Sequence, residues 1–196
     1  MLYMGRRLII LISGKPGVGK STVCRRVVDM LKQKNFRVGG IICPEVRFKG
    51  VRIGFKIVDV LSGSEGWLSN VNFNFPIKVG KYSVNIRDLE TIGISAINRA
   101  SKYSDVIIID ELGPMEMKSK AFFQAFLKVL ETGKPMIIIV HKRLKNYIVK
   151  LFRSMNVTFK IFEVTYRNRD LLPSLIFNEL FQSLKRESKI EGKKNL

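Results

Sequence analysis

The sequence predicts an α/β fold: a three-layer sandwich with a mostly parallel central sheet, helices on both faces and an antiparallel hairpin at one edge. Three observations lead there. Short β-branched runs alternate with helical periodicities, the pattern of βα units around a buried sheet. Two of those runs, "VIII" over 106–109 and "PMIIIV", are continuously apolar, as strands covered on both faces must be. Between them and the first strand lies a region of extended, alternating texture, which suits an antiparallel edge.

The elements follow in order. Residues 7–12 read as the first strand. From Lys20 to about Lys34, Val23, Val27, Met30 and Leu31 fall on one helical face. "FRVGGIICPEVR" and "KGVRIGFKIVDVLSG" read as extended segments broken at Lys49 and Gly50, hence a β-hairpin. "IKVGKYSVN" reads as one short strand, followed by a helix with a stripe of Leu89, Ile92, Ala96, Ile97 and Ala100. Val106 to Ile109 form a buried strand ending in Asp110 and Glu111. The helix "SKAFFQAFLKVLETG" has Ser119 as N-cap and Gly133 as stop. "PMIIIV" is a strand, "KRLKNYIVKLFRSM" a basic amphipathic helix, "VTFKIFEVT" the last strand and "DLLPSLIFNELFQSL" the closing helix.

A chain of 196 residues that is 46% hydrophobic has enough material for one core. The expected organisation is a single domain over 1–184 and a charged, flexible tail over 185–196. Thirty-five Lys and Arg against 16 Asp and Glu give a formal charge of +19, which favours anionic partners such as nucleotides, nucleic acid or membrane surfaces. The charges are spread along the chain, without the arginine-rich block or aromatic-basic motif of a dedicated RNA reader. Cys24 and Cys43 imply no disulfide framework, and a single His leaves no zinc set. The apolar run after the N-terminal positive charges is about five residues, too short for a signal peptide, and no stretch approaches the roughly 20 residues that span a bilayer. The expectation is a soluble, cytoplasmic monomer.

Chemistry is concentrated in "SGKPGVGKST". Gly14, Gly19, Lys20 and Ser21 match G-x-x-x-x-G-K-[ST], placed between a strand and a helix. In such a loop the glycines let backbone wrap phosphates and the helix directs its first N–H groups at negative charge. Lys20 would reach the β and γ oxygens, and Ser21 would ligate Mg2+. The cation needs a carboxylate at the end of a neighbouring parallel strand, and Asp110 is placed for that. Glu111 is the candidate to orient or polarise water at the γ-phosphorus. Transition-state charge calls for a further cation, for which Arg47 and Arg52 in the hairpin and then Arg143 are candidates. His141 reads as a packed strand-end residue and Cys24 as core. Trp67 and Tyr82 are either packing groups or base-stacking ones. Asn168 to Asp170 are placed to cover a base.

Taken together and in this order, "GKPGVGKST", "EVRFKGVRIGFKI", "VGKYSVN", "IIIDELGPMEM" and "NRDLLP" resemble the small nucleoside-triphosphatase family called THEP1, over roughly residues 7–180. The resemblance implies a P-loop NTPase fold and Mg2+-dependent hydrolysis of ATP, GTP, CTP and UTP to the diphosphate and phosphate, with loose base selectivity. It implies a nucleotide-binding set of Gly14, Lys15, Pro16, Gly17, Val18, Gly19, Lys20, Ser21 and Thr22. The same resemblance implies Asp110 with Ser21 at the metal, and Lys20 with Glu111 as the catalytic pair. Glu116 lies in the same motif, either as a turn anchor or as a catalytic acid. Where the family often has Thr and Ile-Pro, this chain has "VHKRLK" over 140–145. The alternatives are a nucleoside or nucleotide kinase, which would need an acceptor site and lid, and a nucleic-acid-associated ATPase. No Asn-Lys-x-Asp guanine reader is present.

Overall fold

The computed structural model describes residues 8–192, with side chains to Lys185. Arg7, where the first strand was expected to start, and the end of the charged stretch 185–196 lie outside the described residues. The chain order is β1 (Ile9–Gly14), α1 (Lys20–Gln33), β2 (Val38–Ile42), β3 (Glu45–Phe48), β4 (Val51–Asp59), β5 (Glu65–Asn70), β6 (Lys78–Val79) and β7 (Tyr82–Val84). There follow α2 (Ile86–Asp88), a π-helical segment (Leu89–Ile94), α3 (Ser95–Tyr103), β8 (Val106–Leu112), a 3₁₀ turn (Glu116–Lys118) and α4 (Lys120–Glu131). The remainder is β9 (Met136–Val140), α5 (Lys145–Ser154), β10 (Phe159–Val164) and α6 (Leu172–Gly192).

One sheet runs β10-β1-β9-β8-β2-β4-β5-β7-β6, with β3 paired to β4. From β10 to β2 every pairing is parallel. From β2 onward the pairings are antiparallel. The parallel strands explain their own composition, because alternate residues feed two cores. Ile9, Leu11, Ile107, Ile109 and Ile138 join Ile97, Phe122, Phe126 and Phe152 from α3, α4 and α5. Ile10, Ile12, Ile108, Ile137 and Ile139 join Val23, Val27 and Leu31 of α1 and Ile176 and Leu180 of α6. Three layers result. Phe126 is fully buried, with ring contacts to Phe123 and Phe152. Phe126→Ala is therefore expected to cost about 3–5 kcal/mol, read as a lower urea midpoint at unchanged m-value.

The antiparallel side is larger than the expected hairpin. That hairpin is present as β3–β4, turned at Lys49 and Gly50, whose φ of 48° and 79° suit a type I′ turn. The run expected as one short strand is instead two, β6 and β7, folded back at Gly80–Lys81. β5 went unread because its buried residues include Ser69 and Asn70, which break the apolar signal of a strand. Trp67 on β5 packs edge-on against Phe73 at 5.7 Å, and Tyr82 against Phe55 at 5.5 Å, so both rings are used in packing.

The helix ends agree with their sequence signals. Ser119 Oγ accepts from the Phe122 N–H at 2.9 Å and donates to Glu90, while Gly133 takes a φ of 68° just past α4.

Candidate active site

The loop between β1 and α1 is built by its first glycine. Gly14 has a φ of 150°, and a Cβ there would lie 2.6 Å from the Val164 carbonyl oxygen of β10 and 3.2 Å from Val18. Only a residue without a side chain lets β1 run that close to its neighbour and still turn. At the far end Gly19 is the N-cap of α1 in the left-handed region, and no side chain caps the helix. The first N–H groups of α1 therefore keep their capacity for an anion, and the helix dipole has its positive end there. Lys20 folds back over the loop, its Nζ 3.4 Å from the Gly14 carbonyl oxygen and 3.3 Å from that of Lys15.

From across the sheet comes β8. It is not the neighbour of β1, since β9 lies between them. At its carboxyl end Asp110 reaches the loop, where Ser21 Oγ donates to Asp110 Oδ1 at 3.1 Å. The Asp110–Glu111 peptide is cis. The β8–β9 register slips between Asp110 and Leu112, which leaves Glu111 out of the ladder, as a bulge that re-aims a side chain does. Glu111 Oε1 is buried and has no hydrogen-bond partner.

Electrostatics separates the acids. Burial pushes the Asp110 carboxyl up to about 6 against the Ser21 hydrogen bond, with Glu111 raising it further and Lys20 and Arg25 holding it down. Glu111 is raised by burial and held down by Lys20. Glu116 is fully buried, and burial pushes it to about 8; its Oε2 accepts from the Gly113 N–H at 2.8 Å, which anchors the turn after β8.

A pH dependence follows from Glu116. Its folded pKa lies above the ordinary 4.5, so folding favours the protonated form. That stabilisation is complete below about pH 4.5 and is lost as pH rises to about 8. Glu116→Gln keeps an acceptor for Gly113 and is expected to flatten this part of the stability–pH curve, measured as urea midpoints between pH 5 and 8.5.

His141 directly follows β9, the strand between the loop strand and β8. Its Nδ1 accepts from the Arg143 N–H at 3.2 Å, so the neutral ring carries its hydrogen on Nε2. Burial, then Lys20 and Arg143, hold its pKa below the ordinary value.

The structure thus brings Lys20, Ser21, Asp110 and Glu111 together, with His141 and Arg143 beside them. Arg47 and Arg52 are engaged elsewhere: Arg47 Nε with Glu45 at 2.7 Å, and Arg52 Nε with the Tyr82 hydroxyl at 2.9 Å. Among the described residues no hydrogen bond or ion pair joins either to the loop or to Asp110. Arg25, whose charge acts on Asp110, was not singled out from sequence. Its signal was available, since Arg25 follows Ser21 by four on α1 and so shares its face. Beside the loop, Gly19, Thr22, Val23, Arg26, Arg169 and Asp170 line an open cavity of about 280 Å³, with an exposed Arg26–Asp170 ion pair at 3.4 Å on its rim. Cys24 is buried in the core behind the loop.

A strand–glycine loop–helix unit with a lysine folded over it and an acid bonded to its serine defines a P-loop nucleotide-binding protein. Comparison with known proteins narrows the class. The model of the NTPase family matches residues 9–177, and the chain belongs to that family. It is 39% identical to the nucleoside-triphosphatase THEP1 of Thermofilum pendens over 172 residues, 87% of this chain and 93% of that protein. Among solved structures it is similar to THEP1 of Aquifex aeolicus (TM-score 0.74, 30% identity, 88% of this chain and 98% of that one). It is also similar to a human cancer-related nucleoside triphosphatase (TM-score 0.70, 34% identity, 85% and 94%).

Proposed function

We propose that this chain hydrolyses nucleoside triphosphates, ATP and GTP among them, to the diphosphate and phosphate, with Mg2+ and without strong base preference. The observation that carries the reading is the 3.1 Å bond from Ser21 to Asp110, which joins the phosphate loop to the acid strand, with the unpartnered Glu111 oxygen next to it.

The residues present fit a hard divalent cation. Among the described residues no three His, Cys, Asp or Glu side chains converge to hold a metal by themselves. The donors on hand are instead one hydroxyl and one carboxylate, all oxygen, which suit an ion that takes its other ligands from phosphate and water. Ser21 and Asp110 would hold Mg2+. Bound there, the ion neutralises charge on the β and γ oxygens.

The chain's own groups do the rest. The glycine loop and the first turn of α1 bind the phosphates, and Lys20 adds a charge-assisted contact. Glu111 takes a proton from the water whose oxygen attacks the γ-phosphorus, as the bond from that phosphorus to the β–γ bridging oxygen breaks and the diphosphate leaves. His141 offers an Nε2–H donor while staying neutral. The cavity beside Gly19 takes the base, with the flat guanidinium groups of Arg26 and Arg169 on its rim able to meet any ring face once Arg26 leaves Asp170 and Arg169 leaves the Tyr166 ring. That supports loose selectivity. Arg143, next to His141, is the favoured transition-state cation, because Arg47 and Arg52 would have to leave Glu45 and Tyr82 to serve.

The test is phosphate release from ATP and GTP under single turnover, with Mg2+ or EDTA and with no acceptor. Release only after a nucleoside or monophosphate is added would overturn the reading in favour of a kinase. With an arginine acting in cis, turnover is expected near about 10⁻² s⁻¹ or above, and Arg143→Ala is expected to drop it towards about 10⁻⁴ s⁻¹.

A further inference from the structure

Between Glu131 and Glu163 the sequence contains no acidic residue, while Lys134, Lys142, Arg143, Lys145, Lys150, Arg153 and Lys160 all fall there. The structure sorts these cations. Lys145 and Lys160 are paired, with Glu163 and Glu179, and Lys142 also lies in the field of Glu163. Arg143, Lys150 and Arg153 are exposed and make no ion pair among the described residues. They stand on one side of α5 and the turn before it. On α5, Tyr147, Lys150 and Arg153 succeed one another at intervals of three and so form a stripe along the outer face, with Arg143 exposed in the turn just before the helix. Tyr147 lies in its middle, 47% exposed, its ring 6.2 Å from that of Phe123.

A stripe of unpaired cations with a half-exposed aromatic ring among them presents two kinds of contact, phosphate and base face. We propose that the outer face of α5 binds single-stranded nucleic acid, with Arg143, Lys150 and Arg153 on the backbone and Tyr147 stacked on a base. The ten residues of α5 rise about 15 Å, a footprint on the order of four nucleotides. An anionic membrane would supply phosphates too, but it calls for apolar groups that can enter the acyl layer. On α5 those groups, Ile148 and Phe152, are buried in the core under α4 and the sheet. The stripe itself carries none.

The test uses the full chain without nucleotide, so its outcome is independent of hydrolysis. Anisotropy of a fluorescein-labelled dT12 is measured from 50 to 200 mM KCl. Three phosphate contacts predict a log–log slope of about −2, roughly a 20-fold loss of affinity across that range. Lys150→Glu with Arg153→Glu is expected to weaken binding about 10-fold or more and to flatten the slope by about 1.4. Lys32→Glu with Lys34→Glu, the same charge change at the carboxyl end of α1 across the sheet, is expected to change binding less than about twofold. Tyr147→Ala, with no change of charge, is expected to weaken binding about 5-fold or more at the same slope. Equal weakening by the two double variants would overturn the proposal, since total charge alone would then be at work. Unchanged binding by Tyr147→Ala overturns it as well, as does sedimentation with phosphatidylserine vesicles in the absence of dT12 binding.

Discussion

Glu111→Gln is expected to leave nucleotide affinity intact while slowing hydrolysis by about 10²-fold or more. The substitution is close to isosteric, so the bulge at the end of β8 and the packing around it persist. What is lost is the capacity to accept a proton. In the wild type one Glu111 oxygen is buried without a partner, which leaves it free for a water that no protein group claims. Burial also raises the carboxyl above its ordinary pKa. A base must be ionised to act, so wild-type turnover is expected to rise with pH through that raised pKa. The Gln variant should lack this limb. Stopped-flow binding of a fluorescent nucleotide and single-turnover phosphate release separate the two effects. Hydrolysis by the variant at the wild-type rate would remove Glu111 from the mechanism.

Lys20→Ala is expected to strike twice. In the proposed mechanism its ammonium is the loop's charged contact to the phosphates, and loss of one such hydrogen bond costs about 1.5–3 kcal/mol, roughly 10- to 100-fold in affinity. The same charge holds down the pKa of both Asp110 and Glu111. Without it both carboxyls move further up, so the metal-side acid and the base are each less ionised at neutral pH. Activity should therefore stay undetectable even at nucleotide concentrations that saturate the variant. Calorimetric titration gives the affinity and phosphate release the rate. Recovery of full turnover at saturation would mean that Lys20 only binds.

Both predictions rest on residues that the sequence already displayed. The glycine loop is legible because its glycines are places a side chain resists, Gly14 by the close approach of Val164 and Gly17 and Gly19 by left-handed φ values of 74° and 105°. Asp110 is legible because a run of buried β-branched residues leads to it. The parallel strands were readable for the same reason: both faces are covered, so the composition is continuous. Long-range packing was not readable. The polar interior of β5 hides that strand, and nothing local reveals that Gly80 folds one expected strand into two. Glu116 could be read two ways in sequence, and its bond to the Gly113 N–H is made by the turn itself. The partners of Arg52, Tyr82 and Glu45, meet it only once the antiparallel strands pair, whereas Arg47 has its partner Glu45 two residues before it on β3, a local signal. Arg25 is placed beside Asp110 by helical spacing from Ser21 alone.

The place of β9 has a mechanical consequence. Because it separates the strand that feeds the loop from the strand that ends in the acids, it acts as a shim that sets the width of the gap the phosphates must fit. Ile139, fully buried and paired on one side with Ile12 and on the other with Asp110, is the residue of that shim closest to both. Its side chain stands in the core shared with Val23 and Val27 of α1, so a bulkier one would press on the helix that carries the loop, and turnover would fall although no reacting group had been replaced.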